Sequence, residues 1–188
     1  GTKGTFTDIF GPFVAALRSA GVKHVTGNVV ADATWFQGVP HGASWSADDL
    51  NDYYGAEISS LSIEDNYAEL RVTPAPREGA ACETALLQPH TGLVIDNRTK
   101  TIAKGGKRRI EATRLIGENV VHLFGELPLG DKEEIVDVTV PRPAAWFAAA
   151  LKDALGQAGI RVDGAARSLR WPDAPATGAV KLGEVVSP

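Results

Sequence analysis

Methionine is absent from the chain, and cysteine occurs once, at Cys82. A single thiol excludes an intramolecular disulfide and a zinc site of several thiolates. It leaves the compartment open. Cys82 follows Ala80 and Ala81 and reads as a small buried apolar residue rather than a nucleophile. With no methionine even at position 1, the chain is expected to be processed, or to be a piece of something longer. Long apolar runs are missing too. No stretch approaches about 18 apolar residues, so neither a transmembrane span nor a signal peptide is expected. Nor is there a basic excess: 19 Lys and Arg stand against 23 Asp and Glu, a net charge of -4. That balance argues against a nucleic-acid partner.

Catalytic signatures are also lacking. A nucleophilic serine needs a base at hand. No serine has a lysine three residues on, and no S-x-N, K-[ST]-G or G-x-S-x-G occurs. No catalytic residue is assigned. His24, His41, His90 and His122 lie far apart and form no H-E-x-x-H or H-x-H, so no metal site or cofactor is expected. His41 and His90 follow prolines and are expected in solvated loops. His122 falls in an alternating run and reads as a strand residue. The run Lys104-Gly105-Gly106-Lys107-Arg108-Arg109 lacks the remaining P-loop residues. It reads as a hairpin turn with a solvated basic rim. Asn97-Arg98-Thr99 matches a glycosylation sequon, a short pattern that is common by chance.

What is present suffices for a folded protein. The 188 residues are 44% hydrophobic and 22% charged, the composition of one large domain or two small ones. Ile9, Phe10, Phe13, Val14 and Leu17 recur at helical spacing, with Pro12 early and Gly21 suited to the stop. His24 to Asp32 then reads as strand, bent at Gly27. A near copy appears late. Trp146, Phe147, Ala150, Leu151, Ala154 and Leu155 form a second stripe after Pro143, ending near Gly159. Ile160-Arg161-Val162 starts a strand that reaches Gly164. Two helix-then-strand units of this kind suit one α/β layer.

Between them, from about Tyr67 to Val140, there is no helical stripe. Short runs appear instead at 68–73, 93–95, 99–103, 110–112, 120–124 and 135–140, separated by turn signals. The expected fold class is therefore α/β plus β. A Rossmann-like α/β lobe from 1–66 and 141–188 would be interrupted by an inserted all-β lobe, 67–140. Ser46 with Asp49 reads as a capping box for a short helix, so Asp48 and Asp49 are structural expectations.

One ordered series of motifs is more specific. It begins Ala20-Gly21-Val22, continues Val25-Thr26-Gly27-Asn28-Val29-Val30-Ala31-Asp32-Ala33-Thr34-Trp35-Phe36 and Gly42-Ala43-Ser44-Trp45, then Tyr54-Gly55-Ala56 and Ser60-Leu61 to Asn66. Pro143 to Phe147, Gly159 to Gly164 and Gly183 to Pro188 extend it. The series resembles the D-alanyl-D-alanine carboxypeptidase/endopeptidase family, the class C low-molecular-mass penicillin-binding proteins of peptidase family S13. In that family S-x-x-K lies upstream of this region, S-x-N just downstream and K-T-G later still. The resemblance implies a non-catalytic insert of a serine D,D-peptidase acting on peptidoglycan. The implied partners are the catalytic domain of the same polypeptide and the peptidoglycan stem peptide. The implied location is the periplasm or cell envelope. The alternative is a stand-alone cell-wall or protein binding module.

Asp32 is the leading substrate-binding candidate. It closes an expected strand, where crevices open in α/β sheets. Trp35 and Phe36 follow it, and a carboxylate beside an aromatic wall suits an ammonium group. The resemblance implies that an Asp and an aromatic residue of this segment hold the amino end of the stem-peptide side chain. The competing reading makes Asp32 a loop or cap carboxylate. Phe36 and Trp45 read first as packing residues.

Overall fold

Apolar periodicity, glycine stops and short β-branched runs lead in the computed structural model to two helices and ten strands among the described residues, 6–47 and 49–185. The chain separates into two compact units. One comprises Gly1–Val39, Ser59–Ile63 and Arg142–Pro188; the other comprises Pro40–Ile58 and Glu64–Pro141. Residues 40–58, 64–66 and 141, expected with the first lobe, fall in the second unit. For 40–58 the tie is local: Thr139 donates its hydroxyl to Leu50 O at 3.0 Å, and Asn51 Oδ1 accepts the Arg114 N–H at 2.7 Å.

In the first unit, helix α1 runs Phe6–Ser19 and helix α2 runs Pro143–Gln157. Gly21 and Gly159 follow them with φ of +75° and +80°, the left-handed stop that glycine adopts without a Cβ penalty. The helices share an aromatic core. Phe147 meets Phe10 edge-on at 5.1 Å and Phe13 at 5.6 Å, and Trp146 meets Phe6 at 6.4 Å. Trp146 and Phe10 are buried, and each such side chain contributes about 1.5–3 kcal/mol by leaving water. Arg18 ends α1 by donating to Ala158 O, just past the end of α2, at 2.5 Å.

The two helix-then-strand copies pair with each other. Strand β1 (His24–Val25) runs parallel to β9 (Arg161–Val162), and β2 (Val29–Asp32) runs parallel to β10 (Ala166–Leu169). The expected bend at Gly27 separates β1 from β2. Its counterpart Gly164 donates its N–H to Gly27 O at 3.0 Å. A Cβ on Gly164 would lie 2.3 Å from that oxygen, so only glycine fits the join. Among the described residues of the first unit, the strand pairing consists of these two parallel pairs.

The second unit holds two three-stranded sheets. In the first, β3 (Tyr67–Thr73) lies between β4 (Glu83–Leu86) and β8 (Glu134–Thr139), all antiparallel. In the second, β7 (Val120–Pro128) lies between β5 (Val94–Ile102), which is parallel to it, and β6 (Arg109–Arg114), which is antiparallel. Alternate residues Ala68, Leu70 and Val72, and Val121 and Leu123, are buried, the period-two signature of half-buried strands.

Several expectations change here. β5 is one strand where two were expected, because its polar middle is satisfied by side chains. Asn97 donates to Cys82 O at 2.7 Å, and its Oδ1 accepts the Thr99 hydroxyl at 2.7 Å. That engagement also removes Asn97 from the exposed-loop setting a sequon needs. β4 and β10 were not expected. The Gly105-Gly106 turn is no hairpin, since β7 separates the strands it joins. His41 is half-buried beside Trp45, with ring centroids 6.3 Å apart, rather than solvated. Cys82 is buried, as expected, and takes a backbone bond to Thr99 Oγ1. The capping box also forms: Asp49 Oδ2 accepts the Ser46 N–H at 2.7 Å and Ser46 Oγ faces the Asp49 N–H at 3.4 Å, ahead of a short turn over Asp49–Asn51. Asp48 lies outside the described residues.

Candidate functional site

Asp32 closes β2 opposite Leu169 of β10, in the first unit. The chain leaves the strand immediately, and the next N–H, of Ala33, still bonds Leu169 O at 2.8 Å. The half-buried carboxylate is then gripped from two sides. Oδ1 accepts the Thr34 hydroxyl at 2.7 Å and the Thr34 N–H at 3.0 Å. Oδ2 accepts the N–H of Ala176 at 2.7 Å. The Thr34 hydroxyl, followed by the Ala176 and Thr34 amides, holds the carboxyl below its ordinary range, because each bond favours the charged form. A carboxylate offers about four lone-pair sites. Three are used, so one acceptor position remains for a cationic donor.

Trp35 and Phe36 follow the strand end. Trp35 is 83% exposed and Phe36 48% exposed. Phe36, expected first as a core or interlobe packing residue, is therefore not a core residue. Val30 and Val39, also exposed, lie on the same segment. The three candidates thus form one short stretch: an ionised, pre-oriented carboxylate followed by two solvent-facing aromatic rings. Sequence reading missed both partners of Asp32. Thr34 carried a usable signal, since an Asp followed two residues later by a hydroxyl invites an Asx-type local bond. Ala176 carried none, because it donates through its backbone from 144 residues away.

Two other polar clusters were not foreseen. In the first unit, Asp163 binds His24 Nε2 at 2.7 Å and Arg161 Nε at 2.7 Å. In the second, Asp96 binds His122 Nδ1 at 2.8 Å and Arg98 at 2.6 Å, while the Arg98 guanidinium lies 5.7 Å from the Phe124 ring centre. The histidine and then the arginine lower Asp163, and the arginine and then the histidine lower Asp96. Neither cluster contains a serine, threonine or cysteine nucleophile. Among the described residues no group of three or more His, Cys, Asp or Glu could hold a metal ion. No helix of the described residues is long and apolar enough to cross a membrane.

The family model of the D-Ala-D-Ala carboxypeptidase 3 (S13) family matches residues 7–187. The chain belongs to that family. A curated relative, the D-alanyl-D-alanine carboxypeptidase of Actinomadura sp. (strain R39), is 30% identical over 156 residues, which cover 80% of this chain and 29% of the relative. Among solved structures, penicillin binding protein 4 from Haemophilus influenzae matches with a TM-score of 0.71 at 18% identity, over 92% of this chain and 37% of that one. The same protein complexed with a β-lactam gives 0.60 at 15% identity, over 92% and 34%. At these identities the structural likeness shows the fold: a mixed α/β chain with several small sheets and few helices. The S13 chain spans about a third of the relatives it matches.

Proposed function

We propose that this S13 chain is the accessory, non-catalytic region of a serine-type D-Ala-D-Ala carboxypeptidase or endopeptidase acting on peptidoglycan outside the cytoplasm. One observation carries the reading. The family match runs through 7–187, yet the chain spans 29% of its curated relative and contains none of S-x-x-K, S-x-N and K-T-G. The chemistry of acyl transfer is then supplied elsewhere in the same polypeptide. The proposal includes a Rossmann-like character for the α/β unit, which is built from three chain segments and interrupted by the β-rich unit.

Within it, Asp32, Trp35 and Phe36 contact the stem peptide. The bonds from Thr34 and Ala176 keep Asp32 ionised and oriented, and its remaining acceptor site suits the terminal ammonium of a diamino-acid side chain. Exposed Trp35 and Phe36 would supply the apolar wall on which such a chain lies. The test uses the full-length enzyme. Asp32→Ala should lower kcat/KM roughly tenfold or more on peptides with a free side-chain amine, the size of a charge-assisted hydrogen bond. On the acetylated peptide it should change little. Equal losses on both substrates would remove Asp32 from substrate recognition.

A further inference from the structure

Past Leu169, the end of β10, the described residues 170–185 enter no helix or strand. The chain first turns, as Asp173 accepts the Arg170 N–H at 3.0 Å and gives its own N–H to Arg170 O at 2.7 Å. Every residue from Ala174 to Glu184 is then exposed, with Val180 at 81% and Leu182 at 51%. So little buried apolar surface leaves a segment to be held by its polar contacts. Lys181 pairs with Glu184 at 2.6 Å, but that bond stays inside the segment. Among the described residues, 174–185 make one hydrogen bond to the rest of the first unit: the Ala176 N–H on Asp32 Oδ2 at 2.7 Å. Farther along, Gly183 passes α1 so closely that a Cβ on it would lie 3.2 Å from the Ala16 side chain.

The bond falls on a carboxylate that is already half fixed. Thr34 gives both of its donors to Oδ1, from two residues away in the same turn. A carboxylate held at one oxygen alone can still swing the other, because its terminal torsion is broad. Ala176 removes that freedom by taking Oδ2. It does so with an uncharged amide, so the carboxylate is oriented without being neutralised, and an ammonium still finds a full negative charge. A lysine or arginine in the same place would orient the group and cancel its charge at once.

We propose that residues 174–182 form a strap latched on Asp32, and that Ala176 is a positioning residue that aims the free acceptor site of Asp32 at an incoming ammonium. The inference rests on the reading of Asp32 given above and adds a second element to that site. A ligand that meets an oriented carboxylate loses less freedom in binding than one that must order it. By reciprocity, an ammonium bound on Asp32 tightens the latch by the same factor.

Two measurements test it. In the 188-residue chain, the rate of trypsin cleavage after Lys181 reads how often the strap opens. Ala176→Pro removes the N–H and leaves Asp32 in place, whereas Ala176→Gly keeps the N–H. A hydrogen bond to a charged group is worth about tenfold or more in such an equilibrium. Ala176→Pro and Asp32→Ala should therefore each be cut after Lys181 about tenfold faster than the wild type, and Ala176→Gly close to the wild-type rate. In the full-length enzyme, Ala176→Pro should lower the ratio of kcat/KM on free-amine peptides to that on acetylated peptides by about fivefold or more. Ala176→Gly should keep that ratio. Circular dichroism checks that each variant is folded. Equal cleavage in the wild type, Ala176→Pro and Asp32→Ala would overturn the strap. A ratio unchanged in Ala176→Pro but lowered in Asp32→Ala would overturn the positioning role and leave the reading of Asp32 intact. A ratio unchanged in both would remove that reading and this inference together.

Discussion

The two units solve the problem of building a core in different ways. The first joins segments more than 100 residues apart into a pseudo-repeat, with helices packed through aromatic rings and strands of two to four residues. The second uses strands of up to nine residues and buries alternate aliphatic positions. Their surfaces are made of the same kinds of residue in different arrangements. The first unit leaves Trp35, Phe36, Val39 and Val180 exposed and pairs Arg161 with Asp163. The second leaves Tyr53, Tyr54, Leu115 and Ile116 exposed and pairs Arg109 with Glu111 and Arg71 with Glu133. The exposed apolar residues of the first cluster beside Asp32, at Trp35, Phe36 and Val39, while those of the second are scattered over turns and strands. In the first, stability is concentrated in a few large side chains. In the second it is spread over many ladder bonds and small contacts.

The sharpest way to break that contrast is Trp146→Ala. It removes a ring that is 2% exposed and should destabilise by about 3–5 kcal/mol, read by urea unfolding. Amide exchange should lose its protection first in α1 and α2. A change below about 1 kcal/mol would show that the aromatic core does not carry the first unit. The second unit should respond more to backbone crowding. Gly125 sits inside β7 at φ +113°, and a Cβ there would lie 2.0 Å from Arg109 O. Gly125→Ala should cost about 2–3 kcal/mol, with exchange rising first at the β6–β7 pairing. A neutral result would mean that the β6–β7 register differs from that described.

A smaller effect sharpens the account of Asp32. Its folded pKa is depressed, so the stability it contributes is present above its unfolded value of about 3.9 and is lost as pH falls through the folded pKa. Asp32→Asn should be less stable than wild type by roughly 1 kcal/mol near neutrality, and the gap should close as pH falls below about 4. A gap constant from pH 7 to pH 3 would show that the charge plays no part in the bonds from Thr34 and Ala176.

The same contrast explains what could be read from the sequence. Both helices and their glycine stops were legible, because a stripe such as Ile9, Phe10, Phe13, Val14 and Leu17 and a following Gly21 are local signals. The similarity of the segments ending at Gly27 and Gly164 was legible too, although their mutual pairing was not. In the second unit the presence of most strands could be read from alternation, but their order could not. Nothing local in 93–128 says that β7 should enter between β5 and β6, so the Gly105-Gly106 turn looked like a hairpin. The strand at Glu83–Leu86 escaped because four residues give too little pattern. At the site, Asp32, Trp35 and Phe36 emerged from their place in a family-like series. Their exposure, and the amide of Ala176 on the carboxylate, depend on tertiary structure.

The central claim is that this S13 chain belongs beside a catalytic centre without containing one. Covalent labelling by a fluorescent penicillin tests it most directly, comparing the 188-residue chain with the full-length protein from the same gene. The account expects a stoichiometric acyl adduct on the full-length protein, on a serine outside this region, and none on the chain alone. A stoichiometric label on the isolated chain would contradict it.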